Sequence, residues 1–137
     1  IVILGVGRIG KVVAKMLYGI GANVYVEARK YKDIAWIKNS GYNLVLLNEL
    51  DKYLLKMDVV FNTVPFILLT EEMLKHLRKD SLVIDLASRP GGVDFDAAKD
   101  LGVNAVQGLG LPGKCAPVSA AKIIMETIYN IIEERGM

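Results

Sequence analysis

The sequence predicts an α/β protein whose parallel sheet is covered by helices on both faces. First, short apolar runs typical of buried strands alternate along the chain with segments of helical spacing. Second, 53% of the residues are hydrophobic and only 7% are aromatic, and an apolar content made mostly of Val, Ile, Leu and Ala suits strands buried on both faces. Third, one short motif recurs where a helical segment is followed by a strand. These features predict a doubly wound sheet.

The predicted elements follow one another in a regular order. Strands are predicted at residues 1–4, 24–26, 44–47, 58–61, 82–86 and 103–106. Helices are predicted at residues 9–20, 31–39, 49–55 and 121–132, and two short ones begin after Thr70 and Asp94, whose side chains are good N-caps. Residues 108–114 are predicted as a loop after the sixth strand.

The recurring motif has the form Gly-x-Asn-apolar and occurs at residues 21–24, 41–44 and 102–105. Each copy follows a helical segment and precedes a strand. Glycine adopts the left-handed conformation that ends many helices, so the next strand can begin within two or three residues. Three such junctions predict β-α-β units and a parallel sheet. The fold class is therefore α/β, a Rossmann-type doubly wound sheet of about six parallel strands.

Length and charge narrow the functional classes. The 137 residues predict one domain, 1–137, and the net charge of +2 implies no nucleic-acid partner. The single cysteine, Cys115, fits a reducing, cytoplasmic compartment. No apolar run is long enough for a membrane span, and no metal-ligand cluster is recognised. Because residues 1–4 form an apolar strand with nothing polar before it, we expect a domain cut from a longer protein.

A glycine-rich turn follows the first strand, with the sequence Gly5-Val6-Gly7-Arg8-Ile9-Gly10. Between a strand and a helix, this spacing predicts a dinucleotide-binding turn. The first glycine permits the tight turn, the second lets the backbone approach a pyrophosphate, and the third allows close packing of helix on strand. Arg8 and Ile9 supply amides at the helix start, which would face the anion. The alternative is a glycine turn that binds no ligand.

The end of the second strand indicates which dinucleotide is bound. The usual spacing places the acid that binds an NAD ribose near position 28, where this sequence has Ala28, followed by Arg29 and Lys30. A guanidinium there would attract a 2′-phosphate, so NADP is favoured over NAD. Glu27, one residue earlier, is expected to project to the other side of the strand. The alternatives are that Arg29 and Lys30 are solvated charges, or that Arg29 stacks on adenine.

Ligands of parallel sheets bind beyond the carboxyl ends of the strands. The cofactor is therefore predicted to be bordered there by Asn62, Thr63, Val64, Pro65 and Ala87. The segment Ser88-Arg89-Pro90-Gly91-Gly92 follows the fifth strand, and Pro90 favours extended geometry at Arg89. A guanidinium there can bind a carboxylate in a bidentate manner, and Lys114 supplies another cation, so the two suit a small dicarboxylate. The alternative is that Arg89 pairs with Asp85, Asp94 or Asp96.

Three segments resemble one family over essentially the whole chain. They are DLASRPGGVDF at residues 85–95, GLPGKCAPVSAAKII at 110–124 and ILGVGRIGKVVAKMLYGIGANVYVEARK at 3–30. Together they resemble the A subunit of dipicolinate synthase from spore-forming bacteria. One departure is Cys115, where the family has an aliphatic residue, which argues against a catalytic thiol.

The resemblance implies an NADP-dependent oxidoreductase that oxidises a dihydrodipicolinate-level precursor to dipicolinate during sporulation, in the mother-cell cytoplasm. It also implies an additional N-terminal domain and a flavoprotein-like partner, the B subunit of dipicolinate synthase. A homo-oligomer is expected as well. By hypothesis, Arg89 and Lys114 bind substrate carboxylates, and Ser88 donates a hydrogen bond to one of them.

Two other functions remain open at this stage. One is a different small-acid dehydrogenase, of the shikimate or 2-hydroxyacid type. The other is a nucleotide-sensing regulatory domain, which needs the glycine turn but has no use for cations after the fifth and sixth strands.

Overall fold

The structure, a computed structural model, describes residues 1–136 and contains one six-stranded parallel sheet. The strand order is β3-β2-β1-β4-β5-β6. The strands are β1 Val2–Leu4, β2 Tyr25–Glu27, β3 Asn43–Val45, β4 Val59–Asn62, β5 Leu82–Asp85 and β6 Asn104–Gln107. The predicted fold class is confirmed.

Seven α-helices and one 3₁₀ turn connect or follow the strands within the described residues. The helices are α1 Arg8–Gly19, α2 Tyr31–Asn39, α3 Leu50–Leu54, α4 Glu71–Leu74, α5 Phe95–Asp100, α6 Leu111–Cys115 and α7 Pro117–Glu134. The sequence predicts one domain, and the structure places the whole sheet in one compact unit, Ile1–Gln107. A second compact unit begins at Gly108 and contains α6 and α7.

The sheet reverses its direction of winding at β1. This strand pairs in parallel with β2 on one side and β4 on the other, and Ile3 lies opposite both Val26 and Phe61. In doubly wound sheets, the crevice for ligands opens at such a switch point, beyond the carboxyl ends of the strands. The fold therefore places the candidate site next to the ends of β1, β2 and β4.

Two apolar layers cover the faces of the sheet. One layer contains Ala14 of α1 and Ile37 of α2 against Ile3 and Val26. The other contains residues of α3, α4 and α5 against the opposite face; they are Leu50, Leu54, Leu74 and Ala98. Because both faces are buried, the strands carry apolar residues at most positions instead of alternating with polar ones.

The three helix-to-strand junctions have the backbone that the repeat predicts. Gly21, Gly41 and Gly102 have φ angles of +89°, +79° and +67°, in the left-handed region that favours glycine. The predicted caps are also confirmed. The Thr70 and Asp94 side chains accept hydrogen bonds from the backbone N–H groups of Met73 and Ala97, at 3.5 and 3.0 Å.

Two segments differ from the sequence-based prediction. The third strand ends at Val45 instead of continuing to residue 47, because the chain turns into a 3₁₀ helix at Leu47–Glu49. Residues 111–115 form α6 instead of a loop. Pro112 is compatible with this helix because the first turn needs no N–H donor at that position. No helix within residues 1–136 combines the length and apolar character needed to cross a membrane.

Candidate functional site

The glycine turn after β1 is packed closely against α1 and the end of β4. Gly5 has a φ of +96°, and a Cβ built on it would lie 2.8 Å from Thr63 Oγ1 and 2.7 Å from Val64 Cγ2. A Cβ on Gly10 would overlap the backbone carbonyl oxygen of Gly5. Thr63 Oγ1 donates to the Leu4 carbonyl at 2.8 Å. The first and third glycines are therefore required by the fold itself.

Gly7 differs from the other two glycines of the turn. Its backbone is extended, with a φ of −74° and a ψ of −172°. A Cβ on Gly7 would meet no atom within 4 Å. Gly7 is also the N-cap of α1, and no side chain caps that helix. The space in front of Gly7 and the uncapped amides behind it form the kind of cradle that binds a phosphate.

A pocket of about 440 Å³ opens in front of this turn. Four cations and two acids lie among its lining residues, so positive charge predominates. The lining residues are Gly5, Val6, Gly7, Lys11, Glu27, Ala28, Arg29, Lys30, Lys32, Asp33, Thr63, Val64 and Pro65. An excess of cations beside a helix N-terminus favours an anionic ligand such as a dinucleotide.

Most of the predicted cofactor residues line this pocket. Those that do so are Gly5, Gly7, Arg29, Lys30, Thr63, Val64 and Pro65. Arg8 and Ile9 are exposed at the start of α1 but do not line it, and Gly10 is buried against the turn. Ala87 is buried, with 3% of its surface exposed. Asn62 is fully buried and its amide bonds within the protein, so the structure gives its side chain a structural role.

Glu27 is a pocket residue that the sequence did not predict. The expectation that it projects away from the site is wrong, because Glu27 lines the pocket and its carboxylate accepts a hydrogen bond from the backbone of Gly5. Only 2% of Glu27 is exposed. Burial raises the pKa of Glu27, and the Arg29 charge and the Gly5 amide oppose that rise. The spacing rule looked for an acid at position 28 and passed over one at the last strand residue.

The loop after β5 is organised by a buried carboxylate. Asp85 is fully buried. Its Oδ1 accepts hydrogen bonds from Asn62 Nδ2 at 2.8 Å and from the Ala87 N–H at 3.1 Å. Its Oδ2 accepts one from the Gly92 N–H at 2.9 Å. Both glycines of the predicted segment are needed here, because a Cβ on Gly91 would lie 2.6 Å from Asp85 Oδ2 and a Cβ on Gly92 would overlap the Asn62 amide.

Arg89 is exposed beyond this braced loop and makes no ion pair with any of residues 1–136. The alternative in which it pairs with a nearby aspartate is therefore wrong. Asp85 binds the loop amides instead, and Asp94 caps α5. Ser88 is exposed as well, and its carbonyl accepts from the Gly91 N–H at 2.8 Å. The loop presents a guanidinium to solvent at the carboxyl end of β5.

The remaining predicted residues lie in the second unit. Lys114 is in the last turn of α6 and is exposed, so its carboxylate contact stays a prediction. Cys115 is a free, exposed thiol. Within the described part of the chain, no three His, Cys, Asp or Glu side chains are grouped so that they could hold a metal ion.

Comparison with known families matches this geometry. Residues 1–111 match the family model described as D-isomer specific 2-hydroxyacid dehydrogenase, NAD binding domain. The chain belongs to this family. As a 2-hydroxyacid dehydrogenase-type NAD-binding domain, it uses the pocket at the glycine turn for a nicotinamide dinucleotide.

Individual relatives confirm the resemblance found in the sequence. The A subunit of dipicolinate synthase from Bacillus subtilis (strain 168) is 35% identical over 98% of this chain and 45% of that protein. A crystal structure of the dipicolinate synthase A chain from Bacillus subtilis has a TM-score of 0.94 at 35% identity, covering 97% of this chain and 45% of that one. The corresponding crystal structure from Bacillus halodurans gives 0.91 at 35%, covering 96% and 45%.

The NAD-binding domain described here thus spans a little less than half the length of these relatives. Its relationship to them covers nearly the whole chain, and its family is defined by cofactor binding in oxidoreductases. The chain is a cofactor-binding domain of oxidoreductase type.

Proposed function

We propose that this chain serves an NADP-dependent oxidoreductase similar to the A subunit of dipicolinate synthase, which oxidises a dihydrodipicolinate-level precursor to dipicolinate. The observation that carries the proposal is the exposed, unpaired Arg89 at the carboxyl end of β5, on the sheet edge that also holds the dinucleotide pocket. A cation kept free of neighbouring acids suits an anionic substrate better than a structural role.

The residues of the pocket fit the cofactor. The open space at Gly7 and the amides at the start of α1 would hold the pyrophosphate. Arg29 would bind the 2′-phosphate, since its side chain is 60% exposed at the pocket. Thr63 and Val64 would border the ribose and nicotinamide. When bound, the cofactor supplies a hydride acceptor.

The loop after β5 would bind the substrate. Arg89 would hold one carboxylate by a bidentate contact, and Ser88 would donate a hydrogen bond to the same group. Lys114 remains the proposed contact for another carboxylate. The oxidation removes two hydrogens and makes the substrate ring aromatic, which supplies driving force. The main task of these side chains is therefore to orient the substrate.

The proposal also includes the partner and setting. Two of the relatives are described as the A subunit or the A chain of dipicolinate synthase from Bacillus subtilis, so we propose the B subunit of dipicolinate synthase as the partner. The corresponding setting is the cytoplasm of a sporulating mother cell, and the assembly is proposed to be homo-oligomeric.

The cofactor choice is tested by replacing Arg29 with alanine. In the parent protein we expect NADPH to bind more tightly than NADH. In Arg29→Ala the affinity for NADPH should fall about tenfold, because a charged hydrogen bond to the 2′-phosphate is lost. The affinity for NADH should change less than about twofold, since NADH lacks that phosphate. Isothermal titration of both cofactors measures this, and equal affinities in the parent would contradict the choice of NADP.

The substrate role is tested by replacing Arg89 with alanine. Dipicolinate is a stable probe for the carboxylate site in the presence of NADPH. Its affinity should fall about 10- to 100-fold in Arg89→Ala, the effect of losing a bidentate charged contact. Affinity for NADPH and the thermal midpoint should be unchanged. Lys79→Ala removes another exposed cation and should leave dipicolinate binding as it was. Parallel loss of both ligands in Arg89→Ala would indicate a structural brace instead.

A second candidate function is oxidation of a small 2-hydroxyacid, which the family match over residues 1–111 favours. The two functions differ in the ligand that Arg89 holds. Tight binding of a 2-hydroxymonocarboxylate, with no measurable binding of dipicolinate, would favour the second function over the first.

A further inference from the structure

Glu27 is the most unusual group in the dinucleotide pocket. It ends an otherwise apolar strand, and one carboxylate oxygen, Oε1, has no hydrogen-bond partner among the described residues. A buried carboxylate oxygen without a donor is costly, and such groups concentrate at functional sites. The same oxygen lies 3.9 Å from Arg29 Nε.

The surroundings of Glu27 make its charge poorly screened. On the neighbouring strands it pairs with Leu4 and Val45, both apolar and fully buried. The charged side chains that line the same pocket come from three elements, namely α1, the turn after β2, and α2. They are Lys11, Arg29, Lys30, Lys32 and Asp33. Only Arg29 lies within ion-pair distance of Glu27 in the described chain.

We propose that Glu27 is a specificity-determining residue that opposes Arg29 in recognising the 2′-phosphate of the cofactor. This inference rests on the proposed function, because it assumes that nicotinamide dinucleotides bind here. The two partners differ in freedom: the Glu27 side chain is 2% exposed and fixed, whereas the Arg29 side chain is 60% exposed. A 2′-phosphate must draw Arg29 away from Glu27 and approach a negative charge held in a poorly screened position.

The consequence is a cofactor preference smaller than Arg29 alone would produce. NADH brings no phosphate to this end of the pocket, so Glu27 does not oppose its binding. Burial raises the pKa of Glu27, so the side chain loses its charge on acidification at a higher pH than an exposed glutamate does. Protonation releases Arg29 and removes the repulsion, and the preference for NADPH therefore increases as the pH falls.

The test is a titration of NADPH and NADH into the parent protein and Glu27→Gln at neutral pH. The amide keeps the size of the side chain and removes its charge. We expect the affinity for NADPH to rise about tenfold, while the affinity for NADH stays within about twofold. Asp33→Asn is the matched control, because it removes the other negative charge that lines the pocket. It should change the ratio of the two affinities less than Glu27→Gln does.

Two further measurements separate the causes. In an Arg29→Ala background, Glu27→Gln should tighten NADPH binding less than in the parent, because part of its effect is the release of Arg29. The parent should also be titrated between about pH 5.5 and 8. The 2′-phosphate loses charge near pH 6 and weakens its own binding, so parent and Glu27→Gln are compared at each pH. The gap between them should narrow as the pH falls.

The outcomes are distinct. An unchanged ratio in Glu27→Gln, a loss of NADPH affinity, or an equal effect of Asp33→Asn would overturn the role of Glu27 while leaving the proposed function intact. If Glu27→Gln does not fold, a parent preference for NADPH that decreases steadily on acidification overturns the inference. If neither cofactor binds to the parent, the proposed function fails, and this inference fails with it.

Discussion

Replacing Gly10 by alanine is expected to lower the free energy of unfolding by about 3 kcal/mol. The added Cβ would overlap the backbone carbonyl oxygen of Gly5, and a second neighbour, Thr63 Oγ1, lies 3.3 Å from the same point. A backbone atom has no alternative rotamer, so α1 must shift away from β1. Because Ala14 of α1 packs on Ile3 in the buried layer, the shift disturbs the core as well. Urea denaturation followed by circular dichroism measures the loss.

Gly7→Ala is the matched control for Gly10→Ala. The two glycines lie three residues apart in one turn, but a Cβ on Gly7 meets nothing within 4 Å, and its φ of −74° suits alanine. Its free energy of unfolding should stay within about 0.5 kcal/mol of the parent. The affinity for NADPH should nevertheless fall by about tenfold or more, because the methyl group occupies space that the pyrophosphate needs. Equal stability of the two variants would refute the packing argument.

Replacing Asp85 by alanine is also expected to lower the free energy of unfolding by about 3 kcal/mol, through lost hydrogen bonds instead of a steric overlap. The carboxylate accepts hydrogen bonds from Asn62, Ala87 and Gly92. Its removal leaves buried donors without acceptors and opens a cavity. Because the same bonds hold the loop that carries Arg89, dipicolinate affinity should fall more than NADPH affinity. Chemical denaturation and the two titrations measure these effects.

Asp94→Ala serves as the comparison for Asp85→Ala. Asp94 is partly buried, and its side chain accepts a hydrogen bond from the Ala97 N–H at the start of α5. Loss of an N-cap costs about 1 kcal/mol, so Asp94→Ala should destabilise the protein about a third as much. If Asp85→Ala were no more destabilising than Asp94→Ala, the buried network would not have the importance given to it here.

Local sequence patterns were sufficient to predict the fold. The Gly-x-Asn-apolar repeat marks three helix ends whose backbone needs glycine, and these junctions alone imply parallel strands. Thr70 and Asp94 could be identified as caps because an N-cap acts on residues within one turn. Helix α6 was missed because Leu111-Pro112-Gly113 has the composition of a loop, and a five-residue helix has too few positions to show a period.

The site was predicted less completely, because its contacts join residues that are distant in sequence. Asn62 and Asp85 are 23 residues apart and meet only because β4 and β5 are neighbours in the sheet. Counting from the glycine turn found Arg29 but misjudged Glu27. Spacing along a strand indicates which residue comes last, whereas the direction of its side chain depends on the twist and packing of the strand end.

The loops that follow β4 and β5 are joined to each other through backbone and side chain. The N–H groups of Leu68 and Leu69 both donate to the Gly92 carbonyl, at 3.1 and 3.0 Å, and the Asp94 N–H donates to the Leu69 carbonyl at 3.0 Å. Asn62 Nδ2 bridges the Val64 carbonyl and Asp85. A displacement of one loop by a ligand is thus transmitted mechanically to the other. By thermodynamic reciprocity, whatever occupancy at one loop does to affinity at the other, the reverse effect has equal magnitude.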